Sequence, residues 1–403
     1  MKLLVADKFS EKHLDDFRAL GLEVEYAPGL GATELPARLD GVHVLVVRST
    51  AVTAQAIDAA DTLTLVVRAG AGVNTIDRTA ASRRGVFVAN CPGKNAIAVA
   101  ELAFGLLAAL DRRIPEQVNA LREGRWNKKE YGQADGLYGR TLGVIGLGAI
   151  GEAVTRRALA FGMSVVAWSR SLDDTRARAL GVARAASPVD VAKRASAVSL
   201  HLALTKETRG LLGEEFFAAL APGAAFINTA RAEVVDTAAL VRAVRERGLR
   251  VGTDVHDGEP EGGAAAFTSE LLTLPGVYGT HHVGASTRQA EKAIADEAVR
   301  IVRSFLAGGE VPNCVNLCQR SPARFQLVVR HLDRVGVLAH VLDVLRRHSI
   351  NVQEIDNRIF DGAHAACATL KLDSEPPAAC LADIRERSDE ILHAGLIPLA
   401  ATR

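Results

Sequence analysis

The first ninety residues alternate short apolar runs with segments of mixed polarity. KLLVAD, EVEYA, VHVLVVRS, LTLVVRA and VFVAN read as strands, apolar on both faces. Strands of that kind, separated by helices, predict a small parallel sheet covered on both sides. An apolar helix follows at residues 95–110, NAIAVAELAFGLLAAL. After it comes a second series of strands: TLGVIGL, SVVAWS, AVSLHLAL, AAFINTA, LRVGTDV and VYGTHHV. The fold class is therefore α/β, with two doubly wound units in succession. The helical run TRQAEKAIADEAVRIVRSFLAGG leads into EVPNCVNLCQRSPAR, a linker by its Pro and Asn content. From Phe325 the pattern becomes a compact βαββαβ. Its pieces are strand FQLVVRHLD, helix GVLAHVLDVLRRH, strand INVQEIDNRIF, an Asp361-Gly362 turn, strand AHAACATLKLD, helix CLADIRERSDEIL and strand GLIPLA.

Between the first strand of the second unit and its helix, Gly146, Gly148 and Gly151 stand in GxGxxG spacing. Gly146 permits a tight turn. Gly148 lets the backbone there and at Ala149 and Ile150 approach a pyrophosphate, and Gly151 lets helix and strand pack closely. The next strand of an NAD site ends in an acid that holds the ribose hydroxyls. Here it ends in Ser169 and Arg170. With no carboxylate to repel a 2′-phosphate and an arginine to pair with it, the cofactor is read as NAD or NADP, with NADP favoured.

At 403 residues, 48% hydrophobic and 24% charged, the chain can build two or three cores. A net charge of +1 supplies no field for nucleic acid or a membrane, so neither is an expected partner. The opening MKLLVADKFSEKHL is interrupted by Asp7 and Lys8 and reads as a strand, not a signal peptide. Residues 95–110 are too short to span a bilayer and contain Glu101. Five cysteines without a CxxC pair suit a reducing cytoplasm and suggest no metal centre.

The later strands of the second unit end in FINTARAEVVD with Arg231, GTDVHDGEPEGG with Asp254 and Glu259, and GTHHVGAST with His281 and His282. Oxidising an alcohol next to a carboxylate requires a cation in two-point geometry, a base of near-neutral pKa, and an acid to orient that base. Arginine, histidine and glutamate supply those roles. Only one of two adjacent strand histidines can face a given cleft.

VVRST, RAGAGVNTID, NCPGKNAIAVAEL, GRWNKKEYG, GRTLGVIGLGAIG, HLALTKETRGLL, NTAR, DVHDGEP and HHVGAST follow one another in an order and spacing that resembles the D-isomer-specific 2-hydroxyacid dehydrogenases. The resemblance implies that Arg231, Glu259 and His282 are catalytic, with His281 standing where proline is common. It implies a Rossmann cofactor lobe, 99–282, inserted into a flavodoxin-like substrate lobe, 1–98 and 283–312, then a linker, 313–323. His201, Thr229, Ala230, Asp254 and Gly284 would join the glycines, Ser169 and Arg170 at the cofactor. Arg48, Ser49, Gly70, Ala71, Gly72, Asn74 and Lys128 would bind the substrate, with the three amides of 70–72 cradling its carboxylate. Lys94 reads as either an added phosphate ligand or a solvated lysine. The substrate implied is a phosphorylated 2-hydroxy acid, with glyoxylate or hydroxypyruvate reduction, or a non-enzymatic nucleotide-sensing corepressor, as alternatives. Residues 324–403 resemble an ACT domain, in which His331, Asp333 and Asn351 would bind an amino-acid effector. The implied state is a cytoplasmic homodimer or homotetramer.

Overall fold

The computed structural model describes residues 1–260, 265–308, 310–318, 321–387 and 389–399, in two compact units, Met1–Asn316 and Leu317–Arg403. In the first unit, strands β1 (Lys2–Val5), β2 (Glu23–Tyr26), β3 (Val42–Val47), β4 (Leu65–Arg68) and β5 (Phe87–Asn90) form a parallel sheet in the order β2-β1-β3-β4-β5. Side-chain alternation divides its core in two. Leu3, Val5, Val44, Val46, Leu65 and Val67 face one layer, and Leu4, Leu45, Val47, Val66 and Val88 the other. Each such buried side chain contributes about 1.5–3 kcal/mol relative to exposure. The first layer is closed by the helix Arg288–Leu306, whose Ile294, Ala298, Val299, Ile301 and Val302 are buried there. Thr287 caps that helix by accepting the Ala290 amide at 3.2 Å.

The second sheet comprises β6 (Thr141–Ile145), β7 (Ser164–Trp168), β8 (Ala183–Arg184), β9 (Ala197–Leu200), β10 (Ala225–Asn228), β11 (Arg250–Thr253) and β12 (Val277–Gly279). It is parallel throughout, in the order β12-β11-β10-β9-β6-β7-β8. The two-residue β8 escapes the hydrophobic pattern because both its residues are exposed. The helix Ala96–Arg112 carries the chain from β5 into this sheet's core through Ala100, Ala103, Phe104, Leu106, Leu107 and Leu110. After β12 the chain returns to the first sheet, so the second sheet is inserted into the chain of the first. The order reverses between β6 and β9, the switch point beside which ligands bind at strand carboxyl ends.

The segment 313–316, expected in the linker, belongs to the first unit. Val315 donates to the Val88 carbonyl at 2.8 Å, and the Asn316 side chain accepts the Val88 amide and donates to the Val86 carbonyl, both at 2.8 Å. In the second unit, β13 (Phe325–Leu332), β14 (Val352–Ile359), β15 (Ala365–Leu372) and β16 (Ile391–Pro398) form an antiparallel sheet in the order β14-β15-β13-β16. Its last helix stops at Arg385, short of the expected span, and β16 begins earlier, because Ile391 and Ala394 enter the core while pairing with β13. The Asp361-Gly362 turn is a longer loop, closed by the Phe360 amide on the Ala365 carbonyl at 3.0 Å. Among the described residues no helix is long and apolar enough to cross a membrane.

Candidate active site

His282 lies just beyond β12 with φ +53°, a left-handed backbone uncommon for histidine. A buried aspartate holds that turn. Asp254, following β11, accepts the Val283 amide at 2.9 Å, the Gly284 amide at 2.8 Å and the Thr280 hydroxyl at 2.6 Å. The turn so formed presents the His282 ring to Glu259, with Nδ1 2.6 Å from Oε2, while the His256 amide donates to the other carboxylate oxygen at 2.7 Å. The hydrogen bond to Glu259 raises the His282 pKa above its ordinary value, against the effect of burial. For Glu259 burial acts upward, but the His282 and His256 contacts outweigh it and hold the carboxyl below its usual range. With Nδ1 engaged, Nε2 is the nitrogen left to exchange a proton. His281 is exposed and so does not face the packing side.

Arg231 follows β10, its Nη1 donating to the Ala230 carbonyl at 2.6 Å. A Cβ placed on Gly72 would lie 2.9 Å from Arg231 Nη2 and 2.9 Å from Asn74 Oδ1, so the 70–72 loop meets Arg231 directly. This brings together Gly70, Ala71, Gly72, Asn74 and Arg231. The expected three-amide cradle is incomplete, since the Gly70 amide is spent on the Arg68 carbonyl at 2.8 Å. Among the described residues the Ala71 and Gly72 amides stay open, while Asn90 donates to the Ala71 carbonyl at 2.5 Å.

Beyond β3, the amides of Arg48, Ser49 and Thr50 converge on Asp7 Oδ2 at 2.6, 3.1 and 3.1 Å. The Arg48 side chain takes no part in that nest, and its Nη1 pairs with Glu291 at 3.0 Å. Lys94 is exposed but not free. It pairs at 3.2 Å with buried Glu297, which also binds Arg300 at 2.6 Å and Asn313 at 2.7 Å. These contacts, the Arg300 bond foremost, hold the Glu297 carboxyl at about 2. Lys128 is exposed on the short helix Lys128–Tyr131, which Arg113 anchors through Glu130 at 2.9 Å.

At β6 the glycines act as their spacing predicts. A Cβ at Gly151 would lie 1.9 Å from the Gly146 carbonyl oxygen, and one at Gly146, where φ is +97°, would lie 2.4 Å from the His201 carbonyl oxygen. Gly148 begins the helix Ala149–Ala160 with no side-chain cap on its first amides. His201 Nε2 lies 2.8 Å from Ser199 Oγ, and burial pushes its pKa down to about 3, so the ring is neutral. Its Nδ1, like the Thr229 hydroxyl, is buried without a hydrogen-bond partner. Orphaned polar atoms beside a side-chain-free turn and open helix amides fit a dinucleotide. The Ala230 amide is taken by Asn228 at 3.0 Å, and Asp254 and the Gly284 amide by one another, so these three hold loops rather than face a cofactor with free groups. Ser169 and exposed Arg170 close β7 as expected.

In the second unit, His331 is buried, its ring nitrogens 2.8 Å from the Leu332 carbonyl and 3.2 Å from Asn357 Oδ1. Asp333 follows it, whereas exposed Asn351 sits beside Asp373 at the Phe325 end of β13. Six residues of strand separate the two ends, roughly 20 Å, so one copy does not gather the three expected effector residues. The residues the sequence reading passed over are Asp7, Arg68, Asn90, Asp254 as a turn holder, His256 and Glu291. Their partners lie on other strands, and only an acid or arginine at a strand's carboxyl end pointed toward them.

The NAD binding domain of the D-isomer specific 2-hydroxyacid dehydrogenases matches residues 104–284. A D-3-phosphoglycerate dehydrogenase of Methanocaldococcus jannaschii is 39% identical over 79% of this chain and 60% of its own length. This chain thus spans about three fifths of that relative. A glyoxylate reductase of Thermococcus litoralis is 36% identical over 64% of this chain and 79% of its own. The NAD+-bound 3-phosphoglycerate dehydrogenase of Entamoeba histolytica superposes with a TM-score of 0.65 at 27% identity, covering 79% of this chain and 99% of that one. Together with the glycine turn and the Glu259–His282 pair, these matches establish that the chain belongs to the D-isomer specific 2-hydroxyacid dehydrogenase family.

Proposed function

We propose that the chain is a D-3-phosphoglycerate dehydrogenase, oxidising 3-phosphoglycerate to 3-phosphohydroxypyruvate. The observation that carries this reading is the Glu259-held His282 ring beside Arg231, on a loop system that also presents Arg48. Arg231 grips the substrate carboxylate and polarises the C2 oxygen. His282 Nε2 takes the hydroxyl proton, and Glu259 stabilises the imidazolium that results. Arg48, exchanging Glu291 for the ligand, meets the phosphate. Gly148, His201 and Thr229 would hold a nicotinamide dinucleotide, which when bound would accept the hydride leaving C2. The Ser169-Arg170 ending favours NADP over NAD, because no carboxylate ends β7 to repel a 2′-phosphate and Arg170 can pair with one.

A dehydrogenase assay with 3-phosphoglycerate, hydroxypyruvate and glyoxylate, each with both cofactors, tests the reading. The phosphorylated pair should be the best substrates, and His282→Asn should reduce turnover roughly 10²- to 10⁴-fold. Faster turnover of glyoxylate than of the phosphorylated acid would replace it with the reductase reading. A lower Michaelis constant for NAD than NADP would overturn the cofactor preference. The same assay with added L-serine separates an effector site completed between two copies of the second unit, which predicts inhibition, from a purely oligomerising unit, which predicts none.

A further inference from the structure

Arg68 closes β4, and its side chain turns back beneath the loop that follows. A Cβ on Gly70 would stand 2.1 Å from its Nη1 and 2.7 Å from its Cζ. Its Nε is buried without a hydrogen-bond partner, and among the described residues the guanidinium meets no carboxylate or carbonyl. Other partly buried arginines are engaged: Arg140 binds Asp111 at 3.0 Å, and Arg176 binds Glu152 at 2.7 Å. Burial, then Arg231, then Arg48 push its pKa down, against smaller upward effects of Cys91 and Asp7. A cation so placed is destabilised until an anion joins it.

The place for that anion is the bare face of Gly72. The Cβ position there lies 2.9 Å from Arg231 Nη2, 2.9 Å from the amide-group oxygen of Asn74 and 3.9 Å from Arg68 Nη1, beside the open backbone amides of Ala71 and Gly72. Two guanidiniums on different sheets and two amides thus converge on one point that carries no protein anion among the described residues. We propose that Arg68 is an anion-binding residue that clamps a ligand carboxylate on the 70–72 loop together with Arg231. The inference deepens the hydroxyacid reading of this site and rests on it. It adds a second cation for the carboxylate, leaving Arg48 for the phosphate.

Thermal shift and calorimetric titration of the full chain with oxalate, a small dicarboxylate, test it in Arg68→Met and Arg68→Lys. Met keeps the length of the stem without the charge, and Lys keeps the charge. Arg68→Met should melt no lower than the parent in anion-free buffer, since an unpaired charge has been removed, and should bind oxalate at least about tenfold more weakly. Arg68→Lys should stay within a few-fold of the parent. Parental oxalate affinity in Arg68→Met, equal loss in both variants, or failure of the parent to bind oxalate at millimolar concentration would each overturn the proposal. Turnover of 3-phosphoglycerate is measured alongside. Oxalate binding that depends on Arg68 in a chain inactive on that acid would sink the substrate assignment and leave the Arg68 site standing.

Discussion

After β3, three successive amides are turned inward onto Asp7, while after neighbouring β4 the amides of Ala71 and Gly72 meet no protein acceptor among the described residues. Both loops leave a parallel strand at its carboxyl end, and each is gripped by a residue at the end of an adjacent strand. The difference lies in the chemistry of the grip. Asp7, beyond β1, can only accept, so it fills the nest of amides. Asn90, at the end of β5, donates to the Ala71 carbonyl and leaves the amides for a ligand. The second sheet repeats the acidic version, in which Asp254 beyond β11 fills the turn after β12 and thereby delivers His282 to Glu259. Acid-filled turns position side chains, and amide-gripped turns present backbone.

Asp254→Asn breaks a filled turn and should have the largest effect. An amide side chain cannot accept from Val283, Gly284 and Thr280 together with equal strength, so the loss is about 2–3 kcal/mol of stability. Displacing His282 by about 1 Å should cost roughly 10²-fold in turnover. Differential scanning fluorimetry and steady-state rates read the two, and unchanged turnover would show that the turn holds without its acid. Asn90→Asp converts an open turn toward the filled kind, setting a carboxylate against the Ala71 carbonyl. The Michaelis constant for the acid substrate should rise about tenfold, with kcat less affected; a fall in kcat alone would contradict the assignment of those amides to the substrate.

The smallest effect is a displaced pH profile. Oxidation needs neutral His282, so kcat/KM falls as pH drops through its pKa, which the Glu259 bond sets above the ordinary 6.5. Glu259→Gln removes that support and should move the acidic limb to lower pH. In the reducing direction the imidazolium is the donor, and the corresponding limb, on which activity falls as pH rises, should also move down. A limb that stays in place would mean that another group controls it.

Much of this arrangement was readable from the order of residues. Apart from exposed β8, the strands of both parallel sheets were legible as short apolar runs, and the glycine turn fell between strand and helix where backbone must meet backbone. Arg231, Glu259 and His282 could be placed at strand ends because α/β sheets gather ligands there. What stayed hidden has a common physical character. Asp7 reads as a break in an apolar opening, yet its partners lie 41 to 43 residues ahead. Arg68 reads as the polar end of a strand, and its lack of a partner exists only in three dimensions. The Asn316 side chain makes its backbone contacts 228 and 230 residues away, so composition alone assigned it to a linker. In the second unit the alternation of β16 was masked by a helix-like charge pattern just before it.

The insertion of one sheet into the chain of the other also sets an order of assembly. The layer that holds Leu3, Val5, Val44 and Val67 stays open until Ile294 through Val302 arrive. Roughly 200 residues, including every strand of the second sheet, are translated between Asn90 and Ile294, a delay on the order of 10–40 s at ordinary elongation rates. During that interval the nascent first sheet exposes an apolar face to the cell, and the inserted lobe is completed before Ile294 through Val302 emerge. The inserted lobe therefore has the opportunity to fold first, and a chaperone that shields the waiting face should associate with ribosomes stalled after Asn90 and release from those stalled well beyond Leu306.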